Sequence, residues 1–433
     1  MTNPTIGFVG MTHLGLISGV AASQKGFKTI CFDVDQTKII NLLSGKLPVS
    51  EPKLEELINS NLDHLIFTAD PNDLTKCDLI YVAPDVGTDE HGQSDLSVLN
   101  DLLDFVFKAS NQEATVVILS QVPPGYTREK WDGRRSLYYQ VETLIFGRAI
   151  ERALFPERYI IGCAQPKTPL PKDYQNFLNT HDCPILQMRY ESAELAKISI
   201  NMFLVASVTT TNTLAELCEK IGADWSEISP ALRLDRRIGS HAYLSPGLGI
   251  SGGNLERDLA TVCNYAKELN SDAGMVHAWI ANSQHRKSWP VEQLERLIDL
   301  RNASNVIGIL GLAYKEDTHS TKNSPAIKAI SQLQAVTIKV YDPKVVWRND
   351  WHHNTIVTSN SYEVLPGINA LMILTPWAEF KDRKFLSLIA SQLRDIPIID
   401  PYGLVPLDLI EGNVLQVYSL GRISNYEENK KND

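Results

Sequence analysis

A short apolar stretch near the start of the chain, followed by a glycine-rich turn, most constrains what this sequence can fold into. Thr5 to Val9 is apolar enough to form a buried strand, and the next six residues, Gly10 to Gly15, read GMTHLG. A helix of small residues to about Gly26 and a second strand, Thr29 to Phe32, come next. Strand, glycine turn, helix and strand in this order predict the βαβ unit of a parallel sheet.

The turn, together with an acid that ends the second strand, indicates what such a unit binds. In a dinucleotide-binding unit the pyrophosphate lies at the turn and the helix N-terminus, and the acid accepts from the ribose 2′-hydroxyl. Thr12 stands where the motif usually has its second glycine, and Asp33 is the acid, whose carboxylate would repel the 2′-phosphate of NADP. The sequence therefore predicts NAD as the cofactor. The candidate cofactor-binding residues of this unit are Gly10, Thr12, Leu14, Gly15 and Asp33.

A second glycine-rich stretch, SPGLGISGGNLERD, runs from Ser245 to Asp258. Glycines at this density allow positive φ and let the backbone approach a ligand closely. The next residues, Leu255 to Leu269, have helical apolar spacing, so the loop leads into a helix N-terminus, where free N–H groups favour anions. Taken alone, the stretch is equally well explained as a flexible surface loop.

This loop resembles the active-site loop of the UDP-glucose/GDP-mannose dehydrogenase family, which reads approximately PGxGxGGxCxPKD. Pro246, Gly249, Gly252 and Asp258 match that pattern. In the family the Cys attacks the sugar aldehyde to form a thiohemiacetal, and here Asn254 occupies its position. An amide nitrogen is not a nucleophile at neutral pH, whereas a thiolate is. The resemblance therefore implies the family's active-site loop without its nucleophile.

Three segments in the first half of the chain resemble the same family. Pro84 follows a strand from Leu79 to Ala83, where the family has a turn beside the nicotinamide. Gln121 follows a strand from Val116 to Leu119 and replaces a Thr that helps to hold a water at the reacting carbon, so it is a candidate for both catalysis and cofactor binding. Glu142 falls on the carboxylate that the family links to thioester hydrolysis. A solvated surface carboxylate is the alternative for this residue.

A long helical pattern from Glu191 to Gly222 carries two more candidates. Lys197 and Asn201 are four residues apart and so lie on one helical face. They match the family's K-x-x-x-N pair, which meets the developing alkoxide of the sugar, although a helical Lys is ordinarily a solvated charge. The helix is apolar on more than one face, which suits a subunit interface. Arg237, in a motif similar to the family's RIGxH, would then reach a substrate across that interface.

A second α/β unit is predicted from Asn305 onward, with strands at Val306 to Leu310, Thr337 to Tyr341, Ala370 to Thr375 and Pro397 to Ile399. Its turn, GLAYKEDTHSTKNSP, resembles the family's GLAFKxxTDDxRxSP, which holds the nucleotide diphosphate. Lys322 replaces an Arg there, which keeps the charge but loses a planar fork of donors. The resemblance implies a substrate-binding set of Glu142, Lys197, Asn201, Arg237, Gly249, Gly252, Lys315 and Lys322.

Composition and charge exclude other classes of protein. The net charge is −10 over 433 residues, which argues against binding to nucleic acid. The six cysteines lack zinc-ligand spacing, so we expect buried thiols in a reducing compartment and no metal site. We expect no membrane span and find no signal-peptide pattern at the N-terminus. The sequence therefore predicts a cytoplasmic protein that does not bind a membrane.

We expect an α/β fold of two Rossmann-like, doubly wound domains joined by a helical dimerisation segment. The expected bounds are 1–190 for NAD binding, 191–290 for dimerisation, 291–425 for nucleotide-sugar binding and 426–433 for a disordered tail. The resemblance implies a homodimer or higher homo-oligomer that acts as an NAD-dependent nucleotide-sugar dehydrogenase, with a UDP-sugar favoured as substrate and the sugar's C6 between the two domains.

Three activities remain open at the sequence level. The first is oxidation that stops at the aldehyde, the second is a four-electron oxidation to a uronic acid without a thiol, and the third is silent binding of NAD or a nucleotide sugar. Retention of several family residues together favours an enzyme over a silent binder. The candidate catalytic residues are Lys197, Asn201, Asp258, Glu142, Gln121 and Asn254.

Overall fold

The computed structural model describes residues 3–89, 93–413 and 415–423. The chain divides into two compact units, Met1–Ile200 and Asn201–Asp433. The tail expected at 426–433 lies outside the described residues.

The first unit contains one large sheet and a short hairpin, flanked by helices. Its strands are β1 (Ile6–Val9), β2 (Thr29–Phe32), β3 (Leu65–Thr68), β4 (Leu79–Val82), β5 (Gly87–Thr88), β6 (Ser94–Asp95), β7 (Thr115–Ile118), β8 (Leu137–Gln140), β9 (Tyr159–Cys163) and β10 (Ile185–Arg189). Its helices are α1 (His13–Gln24), α2 (Gln36–Leu43), α3 (Leu54–Ser60), α4 (Ser97–Ala109), α5 (Tyr126–Lys130), α6 (Ala149–Leu154), α7 (Lys172–Asn179) and α8 (Tyr190–Ile221), the last of which continues into the second unit.

The large sheet has the strand order β10-β9-β8-β7-β4-β1-β2-β3. Neighbouring strands are parallel except β8 and β9, which are antiparallel. The order reverses at β1, where Val9 pairs with Phe32 on one side and with Val82 on the other. Ligands of doubly wound sheets bind at such a reversal, outside the carboxyl ends of the strands. The residues that follow β1, β2 and β4 therefore share the edge where a ligand is expected.

Both faces of this sheet are covered, which explains why its central strands are continuously apolar. Successive residues of a strand point to opposite faces, so Phe8 belongs to one buried cluster and Val9 to the other. A parallel sheet buried on both faces needs such uninterrupted runs of apolar residues.

The second unit repeats the same architecture after a helical part. Its elements are α9 (Trp225–Leu234), α10 (Asn254–Glu268), α11 (Gly274–Glu295), β11 (Val306–Leu310), α12 (Pro325–Gln332), β12 (Thr337–Tyr341), β13 (Thr355–Val357), β14 (Ala370–Ile373), α13 (Arg383–Gln392), β15 (Ile398–Ile399), α14 (Leu407–Asn413) and β16 (Val417–Tyr418). The sheet is parallel throughout, in the order β13-β12-β11-β14-β15-β16. The expected fold class, two Rossmann-like sheets with a helical central segment, is confirmed.

Within the described part of the chain, α8 is long and apolar enough to cross a membrane by length and composition alone. Its polar residues nevertheless bind other parts of the protein. Glu194 is fully buried and accepts hydrogen bonds from the backbone N–H groups of Gly125 (2.6 Å) and Thr127 (2.8 Å). Burial raises the pKa of this carboxyl. We therefore interpret α8 as a core helix.

Candidate active site

The glycine turn after β1 lies in close contact with the end of β4. Gly10 has a φ of +97°, and a Cβ atom there would lie 2.9 Å from the backbone nitrogen of Pro84. A Cβ at Gly15 would lie 2.0 Å from the carbonyl oxygen of Gly10. Only glycine fits at either position, and the resulting closeness brings the N-terminus of α1 to the carboxyl edge of the sheet.

Asp33 is fixed beside this turn at the end of β2. Its Oδ2 accepts from the backbone N–H of Met11 (2.8 Å) and from Nζ of Lys38 (3.2 Å), and its Oδ1 accepts from the backbone N–H of Asp35 (2.9 Å). The residue is buried, at 3% exposure. The turn, the helix N-terminus and this acid together fit the adenosine side of NAD, with Asp33 positioned to accept from the ribose.

A second acid, Asp85, follows β4 and contacts the same turn and the start of α1. Its Oδ2 accepts from the backbone N–H of His13 (3.0 Å), and its Oδ1 lies 3.3 Å from the backbone nitrogen of Leu14. The backbone N–H of Asp85 in turn donates to Oγ1 of Thr12 (2.8 Å). Asp85 was not among the residues singled out from the sequence, although an acid three residues beyond Val82, the last residue of β4, was a usable signal.

The buried carboxylate of Glu51 connects the segment that follows Glu142 to α1. Both oxygens of Glu51 lie 3.0 Å from the backbone nitrogen of Gly147, and Oε2 accepts from the N–H of Ala149 (3.3 Å). Nε2 of His13 lies 3.0 Å from Oε1 of Glu51, and the imidazole stacks on the ring of Phe146 at 4.2 Å. His13 and Glu51 thus connect this segment to α1, and neither was singled out from the sequence for a role.

Glu142 and Lys197 form a largely buried ion pair in the first unit. Nζ of Lys197 donates to Oε1 of Glu142 (2.9 Å) and to its backbone carbonyl oxygen (3.0 Å). The other carboxylate oxygen accepts from the backbone N–H of Leu144 (2.9 Å). The two side chains are only 13% and 19% exposed, so neither is a solvated surface charge.

Gln121 lies at the carboxyl end of β7, next to the end of β4. It is half-buried. The preceding residue, Ser120, donates from Oγ to the carbonyl oxygen of Pro84 at 2.5 Å. The strand ends that carry Gln121 and Pro84 are thus joined directly.

Asn201 and Asp258 form a second pair, which lies in the second unit. Nδ2 of Asn201 donates to Oδ2 of Asp258 at 2.5 Å. Nε of Arg257 lies 3.4 Å from the other oxygen, and Asp258 is 1% exposed. The carboxylate is therefore held by two neighbours in a buried position, as a proton acceptor acting through water would need to be held.

The glycine loop before α10 packs against α11 and against the second glycine turn. A Cβ at Gly249 would lie 2.4 Å from the carbonyl oxygen of Ser283, and one at Gly252 would lie 2.8 Å from the ring of Tyr314. The backbone N–H of Gly252 donates to the carbonyl oxygen of Lys322 (3.1 Å). Both glycines thus permit contacts that a side chain would prevent, and Gly252 and Lys322 are brought together.

Two basic candidates of the second unit differ in placement. Nζ of Lys315 lies 5.8 Å from the ring centroid of Tyr314. It is this tyrosine ring that packs against Gly252. Arg237 is 88% exposed and binds Asp235 through two hydrogen bonds of 3.0 and 2.6 Å. Within the described residues of the second unit, Arg237 makes no hydrogen bond to Gly249, Gly252, Lys315 or Lys322.

Asn254 is the first residue of α10 and is exposed. A thiol at this place would be favoured as a thiolate by the unpaired N–H groups of the helix N-terminus, whereas an amide gains no nucleophilicity there. Cys263 lies further along the same helix, with its Sγ 3.9 Å from Nδ1 of His277. Burial raises the pKa of the Cys263 thiol, so it is not an activated substitute.

Models of one protein family match three parts of the chain. They describe the NAD-binding domain (residues 4–174), the central domain (191–284) and the UDP-binding domain (308–405) of the UDP-glucose/GDP-mannose dehydrogenase family. Together they cover most of the sequence.

Relatives and solved structures agree with these matches. The chain is 30% identical to the UDP-glucose 6-dehydrogenase of Rickettsia bellii, over 96% of this chain and 99% of that one. It is 28% identical to UDP-glucose 6-dehydrogenase TuaD of Bacillus subtilis, over 96% of this chain and 93% of that one. The fold matches that of a UDP-glucose dehydrogenase from Pyrobaculum islandicum with a TM-score of 0.80 at 22% identity, over 93% of this chain and 96% of that one. The chain therefore belongs to the UDP-glucose/GDP-mannose dehydrogenase family, whose members are NAD-dependent oxidoreductases.

Proposed function

We propose that this protein oxidises the hydroxymethyl group of a nucleotide sugar, with a UDP-sugar as the favoured substrate, and that the reaction stops at the aldehyde. Asn254 at the N-terminus of α10, in place of the family's Cys, is the observation that carries this proposal. The UDP-glucose 6-dehydrogenases among the relatives support the choice of substrate class.

The first oxidation needs a hydride acceptor, stabilisation of an alkoxide and a proton acceptor. NAD, when bound, accepts the hydride. An ammonium has three N–H donors, and Glu142 takes two from Lys197, so the third can bind the developing alkoxide. Asn201 holds Asp258 by its amide, and Asp258 would accept the hydroxyl proton through a water. The chain thus retains residues suited to each protein-derived role in alcohol oxidation.

The second oxidation is where the chemistry should fail. In the family the aldehyde carbon first bonds to the Cys sulfur, and the second hydride leaves from the resulting thiohemiacetal. The amide nitrogen of Asn254 cannot form that bond at neutral pH. The high pKa of Cys263 argues against its taking over the role. We therefore expect the aldehyde, or its hydrate, as the product.

Counting NADH formed per sugar consumed tests the proposal. Purified protein would be incubated with UDP-, GDP- and dTDP-sugars, and the product would be trapped with a hydroxylamine. One NADH and a trapped aldehyde are expected. Two NADH and a uronic acid would contradict the proposal and favour oxidation of the hydrate without a thiol.

Replacing Asn254 by Cys should raise the yield toward two NADH per sugar, because the helix N-terminus favours a thiolate at that position. Asn254→Ser is the matched control. Its hydroxyl is similar in size but is not ionised there, so its yield should stay at one.

A silent nucleotide-sugar-binding protein is the second candidate. The hydrogen bonds between Asp85 and the N-terminus of α1 favour it, because they use donors that a cofactor would need. Thermal stabilisation by a nucleotide sugar, without NADH formation from any sugar tested, would support this candidate.

We also propose a cytoplasmic homodimer that associates through α8. In this proposal residues 1–190 bind NAD, the helical segment at 191–290 forms the dimer, and residues 291–425 bind the nucleotide sugar. An exposed apolar stripe on α8, spaced so that its members share one face, supports the dimer. Its residues and their exposed fractions are Phe203 (80%), Leu214 (40%), Leu217 (50%) and Ile221 (73%).

A further inference from the structure

The N-terminus of α1 has backbone N–H groups that no helical carbonyl can satisfy. The first residues of any helix lack partners one turn earlier, and the helix dipole makes this end attractive to anions. Thr12, the N-cap residue, makes no side-chain hydrogen bond to the helix. The donors of His13 and Leu14 are therefore available to an anion from elsewhere, and in a dinucleotide-binding unit that anion is the pyrophosphate.

In this chain a carboxylate of the protein already occupies those donors. One oxygen of Asp85 accepts from His13 and the other lies within reach of Leu14, so the carboxylate spans the first turn of α1. The interaction is reciprocal, because Asp85 donates its own N–H to Thr12. The residue that replaces the motif's second glycine is thus the one that holds Asp85 in place.

We propose that Asp85 is an internal competitor of the cofactor pyrophosphate and so sets the affinity for NAD. The same two N–H groups cannot serve Asp85 and a pyrophosphate oxygen at once. A carboxylate left nearby would also repel the diphosphate charge. Asp85 is exposed, so its side chain can turn outward into water when the cofactor binds. Binding of NAD therefore includes the displacement of Asp85 from α1.

A purely structural role makes a different prediction. If Asp85 serves only as a cap for α1, its loss lowers thermal stability and leaves cofactor affinity unchanged or weaker. If it competes, its loss lowers stability of the free protein but tightens the binding of ligands that carry a diphosphate. Ligands without phosphate are unaffected in that case.

Isothermal titration calorimetry on the full chain separates these roles. Asp85→Asn keeps the size of the side chain and removes its charge, and Asp85→Ala removes the acceptor. Each variant would be titrated with NAD, with ADP-ribose and with adenosine. Asp382→Asn is the matched control, since Asp382 accepts from two backbone N–H groups, of Lys384 and Phe385, at the start of α13.

Both Asp85 variants should bind NAD and ADP-ribose about tenfold more tightly than the wild type, with adenosine unchanged. Asp382→Asn should show lower thermal stability and wild-type affinities. Unchanged or weaker NAD and ADP-ribose binding in both Asp85 variants would overturn the proposal, as would an equal gain for adenosine. The proposal rests on the family's cofactor but uses no sugar and no turnover, so it can fail while the proposed oxidation stands.

Discussion

Two carboxylates, Asp33 and Asp85, reach the glycine turn from strands on either side of β1. Asp33 follows β2 and accepts from the backbone N–H of Met11, while Asp85 follows β4 and accepts from His13. The motif signals the first acid, because a carboxylate at the end of the second strand is part of the dinucleotide pattern. The second acid is not part of that pattern, and its position just beyond β4 does not by itself reveal what it contacts. Its role depends on a contact with a residue 72 positions earlier in the chain.

Changing Asp33 to Asn should weaken the preference for NAD over NADP. The carboxylate would repel a 2′-phosphate, and the amide removes that repulsion while retaining an acceptor for one of the neighbouring N–H groups. We expect the ratio of the NADP and NAD dissociation constants to fall at least about tenfold. Fluorescence titration of both cofactors measures it.

Asp35→Asn is a suitable control for that experiment. Asp35 caps α2 by accepting from Thr37 and is a neighbouring acid with no expected contact to the ribose. Its replacement should leave the cofactor preference unchanged. Equal binding of NADP and NAD by the wild type would contradict the prediction.

The sequence could name candidate site residues, but it could not pair them. Lys197 and Asn201 stand out because they share a helical face, yet their partners, Glu142 and Asp258, lie 55 and 57 residues away. Such pairs depend on how distant segments pack, which local spacing does not encode. Arg237 shows the reverse case, since its motif is recognisable but its side chain binds Asp235, two residues earlier.

Among the elements, long or strongly patterned segments were predicted best. The helix expected from Glu191 to Gly222 is observed as Tyr190–Ile221, and strands β2, β11 and β12 have the expected bounds. Strands β3, β5, β6, β8, β9, β13 and β16 were not anticipated, and neither was β10. The last of these, Ile185–Arg189, lies at the sheet edge and is only partly buried, so its residues lack a continuous apolar run.

The exposed stripe of α8 gives a prediction at this scale. Phe203→Glu should convert a dimer into a monomer, because a charge would be buried without a partner in the interface. Light scattering on the purified variant measures the mass. Leu43→Glu introduces the same charge at another exposed apolar position, on α2, and should leave the assembly unchanged. A monomeric wild type would contradict the prediction.

At the scale of the whole molecule, one buried acid should give stability a distinctive pH dependence. Asp400 follows β15 and is fully buried, and burial raises its pKa to about 6 from an ordinary value of 3.8. The folded protein therefore holds a proton that the unfolded chain releases at lower pH. This stabilisation is present below about pH 4 and is lost as the pH rises through 6, by about 3 kcal/mol in total.

Asp400→Asn should remove this loss, because an amide does not ionise. Chemical denaturation of both proteins between pH 4 and pH 8 would give the difference in the free energy of unfolding. We expect the variant to gain stability relative to the wild type as the pH rises. Asp395→Asn removes an exposed carboxylate of the same unit and should alter the curve little. A pH-independent difference for Asp400→Asn would contradict the prediction.

The strand order of both sheets has a consequence for how the chain can fold while it is being synthesised. In the first unit β2 and β3 extend the sheet on one side of β1, and β4, β7, β8, β9 and β10 then extend it on the other, each in chain order. In the second unit β12 and β13, and then β14, β15 and β16, do the same around β11. Within the two large sheets, each strand after β1 or β11 can thus join an edge that already exists when it leaves the ribosome. No pair of strands formed earlier has to separate to admit a later one.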